Sequence, residues 1–170
     1  GLLRWQGAVA GAAVIAASVS RIEAEYWSEL SRAALRDRKY DESVAYAQRG
    51  LALEAGNYDL FYYLGEAQHF IALRQAKPED QPPTHELAAL AFEEGLALFP
   101  NDLRLLLKLG RTYDNLGRYG DAETVFQRAL AADPNFGNVY AYYGVHKHLM
   151  KEYGEAQRFY LKANAMGERE

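Results

Sequence analysis

The second half of the chain sets its large apolar residues three and four positions apart. Leu103, Leu106, Leu109 and Tyr113 keep that spacing, and so do Ala122, Phe126 and Ala129 after a polar break. Such spacing marks one buried face of an α-helix, here on two helices in succession. Val and Ile are scarce after the first twenty residues, whereas Ala and Tyr are abundant. Side chains branched at Cβ favour strands, so their scarcity points to helix. No proline occurs before Pro78, which leaves the first half free of the strongest helix breaker. The pattern predicts an all-α chain.

The helix pair is itself repeated. With Leu103 as position 1 of a 34-residue frame, Leu106, Leu109, Gly110 and Tyr113 take positions 4, 7, 8 and 11. Ala122, Phe126, Ala129 and Pro134 take positions 20, 24, 27 and 32. One step forward, from Gly137, brings Tyr140, Tyr143, Gly144, Ala156, Tyr160 and Ala163 to matching positions, while Lys147 departs at position 11. One step back, Tyr58 opens a unit with Phe61, Leu64 and Gly65. Its second helix carries Ala88, Phe92, Gly95 and Pro100, which fit if residues 75–85 form an 11-residue loop marked by Pro78, Pro82 and Pro83. A degenerate first unit starts at Ala24 with Trp27 and Leu30, and sets Ser31, Ser43 and Ala47 at positions 8, 20 and 24. The predicted units are 24–57, 58–102, 103–136 and 137–170, which together make up residues 24–170. Small residues at positions 8, 20 and 27 let two antiparallel helices approach closely, and the large ones fill the space beside them. Pro100 and Pro134 end the second helices, because the residue before a proline is disfavoured in helix.

These residues resemble the tetratricopeptide-repeat (TPR) pattern, which the unit at 103–136 matches at every marker position. The resemblance implies an α-solenoid, a right-handed superhelix of helix hairpins with a concave groove. It also implies a scaffold that holds a protein or peptide in that groove and catalyses nothing. In the family, ligands lie against positions 2, 5, 6, 9, 12 and 13 of the first helix of each unit. Transferred here, these positions include Asp59, Glu66, Phe70, Tyr142 and His148, and the residues expected to bind the partner are Arg32, Arg36, Tyr62, Tyr63, His69, Arg104, Lys108 and Arg111. Such a set suits an extended acidic peptide, held by charge-assisted hydrogen bonds and stacking. The family's chaperone-binding arrangement is matched by Arg104 and Lys108 but not by Ser28, Arg32 and Tyr63.

Residues 1–23 read differently. Trp5 to Ser20 carries no charge and lies between Arg4 and Arg21. As a helix it would be about 24 Å long, and with Leu2 and Leu3 it approaches the ~30 Å of a bilayer core. Gly7 and Gly11 form a Gly-x-x-x-Gly pair suited to close helix packing. The expectation is a long apolar N-terminal helix, engaging a membrane or an apolar helix bundle through residues 2–20. It would hold a scaffold in a bacterial envelope assembly. The rival readings are the core of a pilus-like extracellular filament and the last membrane helix of a larger polytopic protein with an O-antigen-ligase-like layout. A secretory leader and a simple capping helix are plainer alternatives. Nothing breaks the helix between Trp5 and Arg36. A membrane-associated or extracytoplasmic place follows from this segment. Self-association is also expected, because the last unit leaves Phe159, Leu161 or Met166 facing outward.

Composition narrows the chemistry. The 170 residues carry a net charge of −4, which offers no basic surplus for nucleic acid. With no cysteine, disulfides, thiolate catalysis and cysteine-ligated metals are excluded. His146 and His148 stand two apart on a helix, a poor spacing for metal ligands, and read as surface or groove residues. His85 falls in the proline-rich loop, and the acidic pairs Asp41/Glu42 and Glu93/Glu94 read as solvated helix ends and faces. No phosphate loop, nucleophile elbow or His-Glu-x-x-His run occurs. Neither enzymatic activity nor a cofactor is expected.

Overall fold

The structure is a computed structural model that describes the backbone of residues 2–75 and 81–167, together with their side chains apart from those of residues 2–13, 15, 16 and 81. Eight helices make up its regular structure: α1 (Leu2–Arg36), α2 (Tyr40–Leu53), α3 (Tyr58–Arg74), α4 (Gln81–Leu98), α5 (Leu103–Asn115), α6 (Tyr119–Ala132), α7 (Gly137–Leu149) and α8 (Tyr153–Gly167). Among the described residues there is no strand. Each helix packs on the next along the chain. The odd helices also touch one another, α1 with α3, α3 with α5 and α5 with α7, and the even helices show no comparable contacts among the described residues. The odd helices therefore form the tighter, inner side of a curved stack, and the even helices form its outer side. The architecture is an all-α solenoid of helix pairs.

Size complementarity holds each pair together. A Cβ placed on Gly65 would lie 2.6 Å from Cζ of Phe92, and one on Gly110 would lie 2.6 Å from Cζ of Phe126. At Gly144 it would meet Cε1 of Tyr160 at 2.7 Å. In three pairs, then, an aromatic ring rests on bare helix backbone. The first pair solves the same contact differently. Ser31 stands where the others have glycine, and the facing residue is Ala47, fully buried. Ser31 Oγ donates to the Ser43 carbonyl at 2.9 Å, and Ser43 Oγ donates to the Ser31 carbonyl at 3.0 Å. A similar fit joins successive pairs. Leu60 Cδ1 lies 2.6 Å from the Cβ that Gly50 lacks, and Leu105 Cδ1 lies 2.8 Å from that of Gly95. Burying these leucines stabilises each junction by about 2 kcal/mol.

The turn inside a pair uses a left-handed residue. Arg38, Gly117 and Lys151 have φ of 61°, 71° and 63°. The N–H of the following residue then reaches back to the helix end, from Lys39 to Ala34, Arg118 to Tyr113 and Glu152 to Lys147, at 2.8, 2.9 and 2.9 Å. In the second pair, 76–80 of the expected loop lies outside the described residues. α4 begins at Gln81, so the loop expected to reach residue 85 ends sooner and His85 is helical. Proline is tolerated in a first helical turn, where its missing N–H has no intrahelical acceptor. Pro82 and Pro83 therefore start α4 and do not prolong the loop.

α1 runs unbroken from Leu2 to Arg36, well past its partner α2. Among the described residues no helix is long and apolar enough to cross a membrane, and most of the apolar span expected at residues 2–20 has side chains outside the described ones. The uncharged run is short, rich in Ala, Gly and Ser, and is followed at once by Arg21, Glu23 and Glu25. The close packing expected at Gly7 and Gly11 falls outside the residues whose surroundings are described. Val14, Val19, Ile22 and Tyr26 of α1 are exposed.

Candidate functional site

The inner face is formed by α1, α3, α5 and α7, which bring most of the expected groove residues to it. Its centre, between α3 and α5, is an ion-pair cluster. Glu66 is buried, and its carboxylate accepts from Lys108 Nζ at 2.7 Å and from an Arg111 terminal nitrogen at 3.2 Å. Burial lowers the Lys108 pKa, but Glu66 outweighs that effect and raises it overall. Next to this cluster Arg104 donates to Asp59 at 3.1 Å, approaches Asp102 at 3.7 Å, and lies over the rings of Tyr58 and Tyr62 at 5.0 and 5.3 Å. Tyr62 and Tyr63 are half-buried, with their rings edge to face. Burial is the main reason both phenols are shifted upward. At the α1 end Arg32 bonds to Glu29, and Arg36 meets Asp37 at 3.4 Å. Each of these five cations has a carboxylate partner. Sequence reasoning places Glu66 and Asp59 on the groove face but does not foresee that they neutralise it.

A second polar network ties α5, α6, α7 and α8 together. His146, expected at the surface or in the groove, is instead 1% exposed. Its Nδ1 lies 2.6 Å from Asp114 Oδ1 and its Nε2 lies 3.0 Å from Glu123 Oε2. Burial raises the Asp114 pKa, and the bond to His146 opposes the shift. Glu123 also accepts from the Tyr143 hydroxyl, from Gln127 at 2.8 Å and from Lys147 at 3.0 Å. Partial burial pushes its carboxyl up, but those bonds hold it down at about 2. Burial and the same carboxylate raise Tyr143 to about 12. Lys147, which departs from the repeat pattern, continues the network to Glu152 at 3.0 Å and to Glu155 of α8 at 3.6 Å. His146 and Asp114 are enclosed, and their bonds clamp these helices together. His148, by contrast, is exposed and meets the edge of Tyr153 at 5.2 Å. Glu93, read as solvated, accepts from the Tyr113 hydroxyl at 2.6 Å.

His69 does not line the groove. It is 1% exposed and faces the equally buried His85 across α3 and α4, with ring centroids 5.1 Å apart. Burial pushes its pKa down to about 3, helped by Arg111, His85 and Lys108. Burial and Arg111 also lower His85. An unfolded histidine titrates near 6.5. Below that pH the unfolded chain takes up protons that folded His69 refuses until about 3, so stability falls as the pH falls through this window. Between pH 7 and pH 5, His69 alone should remove about 2 kcal/mol of stability. Urea titrations at the two pH values measure the loss, and His69→Gln should flatten the slope. An unaltered slope in that variant would place the acid sensitivity elsewhere. Among the described residues no group of three or more His, Asp or Glu is placed to hold a metal ion.

Comparison with known proteins fits this construction. The family model described as tetratricopeptide repeat matches residues 84–144, from the start of α4 into α7. That stretch is tetratricopeptide repeat, and the described chain as a whole has the fold of a tetratricopeptide-repeat solenoid. No curated protein sequence matches the chain. Among solved structures, TTC0263, a thermophilic TPR protein of Thermus thermophilus, is 20% identical with a TM-score of 0.77, over 84% of this chain and 73% of its own. A crystal structure of MamA is 20% identical with a TM-score of 0.71, over 98% of this chain and 92% of its own. The pilF protein of Pseudomonas aeruginosa is 16% identical with a TM-score of 0.72, over 89% and 64%. At such identities the likeness concerns the fold.

Proposed function

We propose that this chain is a non-enzymatic scaffold that holds an extended segment of a partner protein along the inner face of α1, α3, α5 and α7. The observation that carries the reading is the curvature of the stack. Contacts between odd helices make one face concave, and that face presents half-buried Tyr62 and Tyr63 beside the paired Arg104. Aromatic rings next to guanidinium groups offer large contact area with little side-chain entropy to lose, which suits peptide recognition. The network around His146 holds the helices that present this face, and its enclosure favours a structural role over a catalytic one.

A photo-crosslinking residue tests the reading. Placed at Tyr63 on the inner face, it should form adducts with a protein partner in cells of the source organism. Placed at Thr124, exposed on outer helix α6, it should not. Equal adducts from both sites, or none from Tyr63, would remove the inner face as the working surface. The finer versions are an envelope assembly held by the N-terminal helix, a filament built on it, and the tail of a polytopic membrane protein. All three, with the location they imply, rest on the uncharged sequence Trp5 to Ser20 alone.

A further inference from the structure

The two inner-face clefts flanking α5 are filled differently. Between α3 and α5, Glu66 reaches across to Lys108 and Arg111 and closes the cleft. In the repeat frame the residue of α5 equivalent to Glu66 is Arg111, and the equivalents of Lys108 and Arg111 on α7 are Tyr142 and Val145. Arg111 turns back toward Glu66, and neither Tyr142 nor Val145 can form an ion pair with it. The cleft between α5 and α7 is therefore left open. It is a recess of about 200 Å³ lined by Arg111, Asp114, Phe126, Ala141, Tyr142 and Val145. Phe126 is fully buried, whereas Val145 is 48% exposed, so the recess presents apolar surface to solvent.

From this geometry we infer that the recess is an anchor site for one leucine-sized apolar side chain of the partner segment. The inference rests on the scaffold reading above and deepens it by naming what the partner must present. The volume is adequate, since an apolar cavity of roughly 150 Å³ holds a benzene-sized group. Charge decides against the acidic ligand that the sequence suggested. Arg111 and Lys108 share Glu66, and the Asp114 carboxylate is turned to His146 at 2.6 Å. The rim itself carries one charge of each sign, Arg111 and Asp114, and each is already committed, to Glu66 and to His146. Arg111 Nε is without a partner but buried, and with the guanidinium charge already answered by Glu66 an acidic side chain finds no free counter-charge to replace its lost water. An aliphatic chain has no polar group to desolvate and gains contact with the accessible Ala141, Tyr142 and Val145. One such anchor in an otherwise shallow groove also fixes the register of an extended peptide, as pockets for single side chains do in other peptide-binding grooves.

The test uses two small probes, N-acetyl-leucine amide and N-acetyl-aspartic acid amide, titrated into the protein while the methyl signals of Ala141 and Val145 are followed by NMR. The leucine probe should shift both signals saturably, with a Kd on the order of 10 mM. The aspartate probe should leave them unmoved. Ala141→Trp should fill the recess and abolish the shift. Val145→Ser, at an exposed position that leaves folding intact, should weaken binding at least about threefold. No shift with leucine, equal shifts with aspartate, or shifts that persist in both variants would overturn the anchor. If leucine fails while crosslinks still form from Tyr63, the anchor is wrong and the scaffold stands. If leucine binds without such crosslinks, the recess binds apolar groups but the partner does not lie along the inner face.

Discussion

Gly110→Leu should lower the stability of the chain by at least about 3 kcal/mol, which for this size is a fall in Tm of roughly 6–12 °C. The added Cβ alone would lie 2.6 Å from the Phe126 ring. The ring cannot yield, because it is fully buried and stacked on Tyr143 with centroids 5.6 Å apart. A glycine in mid-helix sacrifices up to about 1 kcal/mol of helix propensity relative to alanine, so its presence here is justified only by the approach of the ring. Thermal melts followed by circular dichroism measure the effect. Combining Gly110→Leu with Phe126→Ala exchanges large for small across the contact, much as Ser31 and Ala47 do in the first pair, and should recover part of the loss. A single variant as stable as the parent would refute the nesting of ring on backbone.

Glu66→Gln should cost about 3 kcal/mol by leaving two cations without their shared carboxylate. Lys108 is the more enclosed of the two, with 16% side-chain exposure against 30% for Arg111. Solvent screening therefore trims the penalty at Arg111 more than at Lys108. The loss should persist in high salt, unlike that of the exposed pair between Arg32 and Glu29, because a buried pair is poorly screened. Urea denaturation at low and high ionic strength measures both points. A loss that disappears in salt would mean that Glu66 acts as a surface charge.

The helix pairs are legible in the sequence because their code is steric. Gly65, Gly110 and Gly144 stand opposite Phe92, Phe126 and Tyr160 at a recurring place in the frame, and backbone contact tolerates little else. The left-handed turns are harder to see, since Arg38 and Lys151 occupy a conformation that glycine would announce. α4 begins earlier than its prolines suggest because proline both breaks helices and begins them, and only the fold shows which role Pro82 and Pro83 play. His146 escapes local reading for a different reason. Its partners Asp114 and Glu123 come from earlier helices, 32 and 23 residues back, and no local spacing connects them. The groove charges are hidden in the same way. Lys108 and Arg111 look available along their own helix, and only a comparison across units sets Glu66 against both.

Among the described residues each helix packs chiefly on its chain neighbours and on the odd helix beside it, so the stack is not closed end to end. The influence of a residue therefore fades within about one neighbouring unit. That locality explains how the first pair can trade the glycine-and-ring solution for a hydroxyl lattice between Ser31 and Ser43 while the other pairs keep theirs. It gives each junction freedom to diverge separately, so one cleft can stay sealed by charge and the next lie open without disturbing the frame around them.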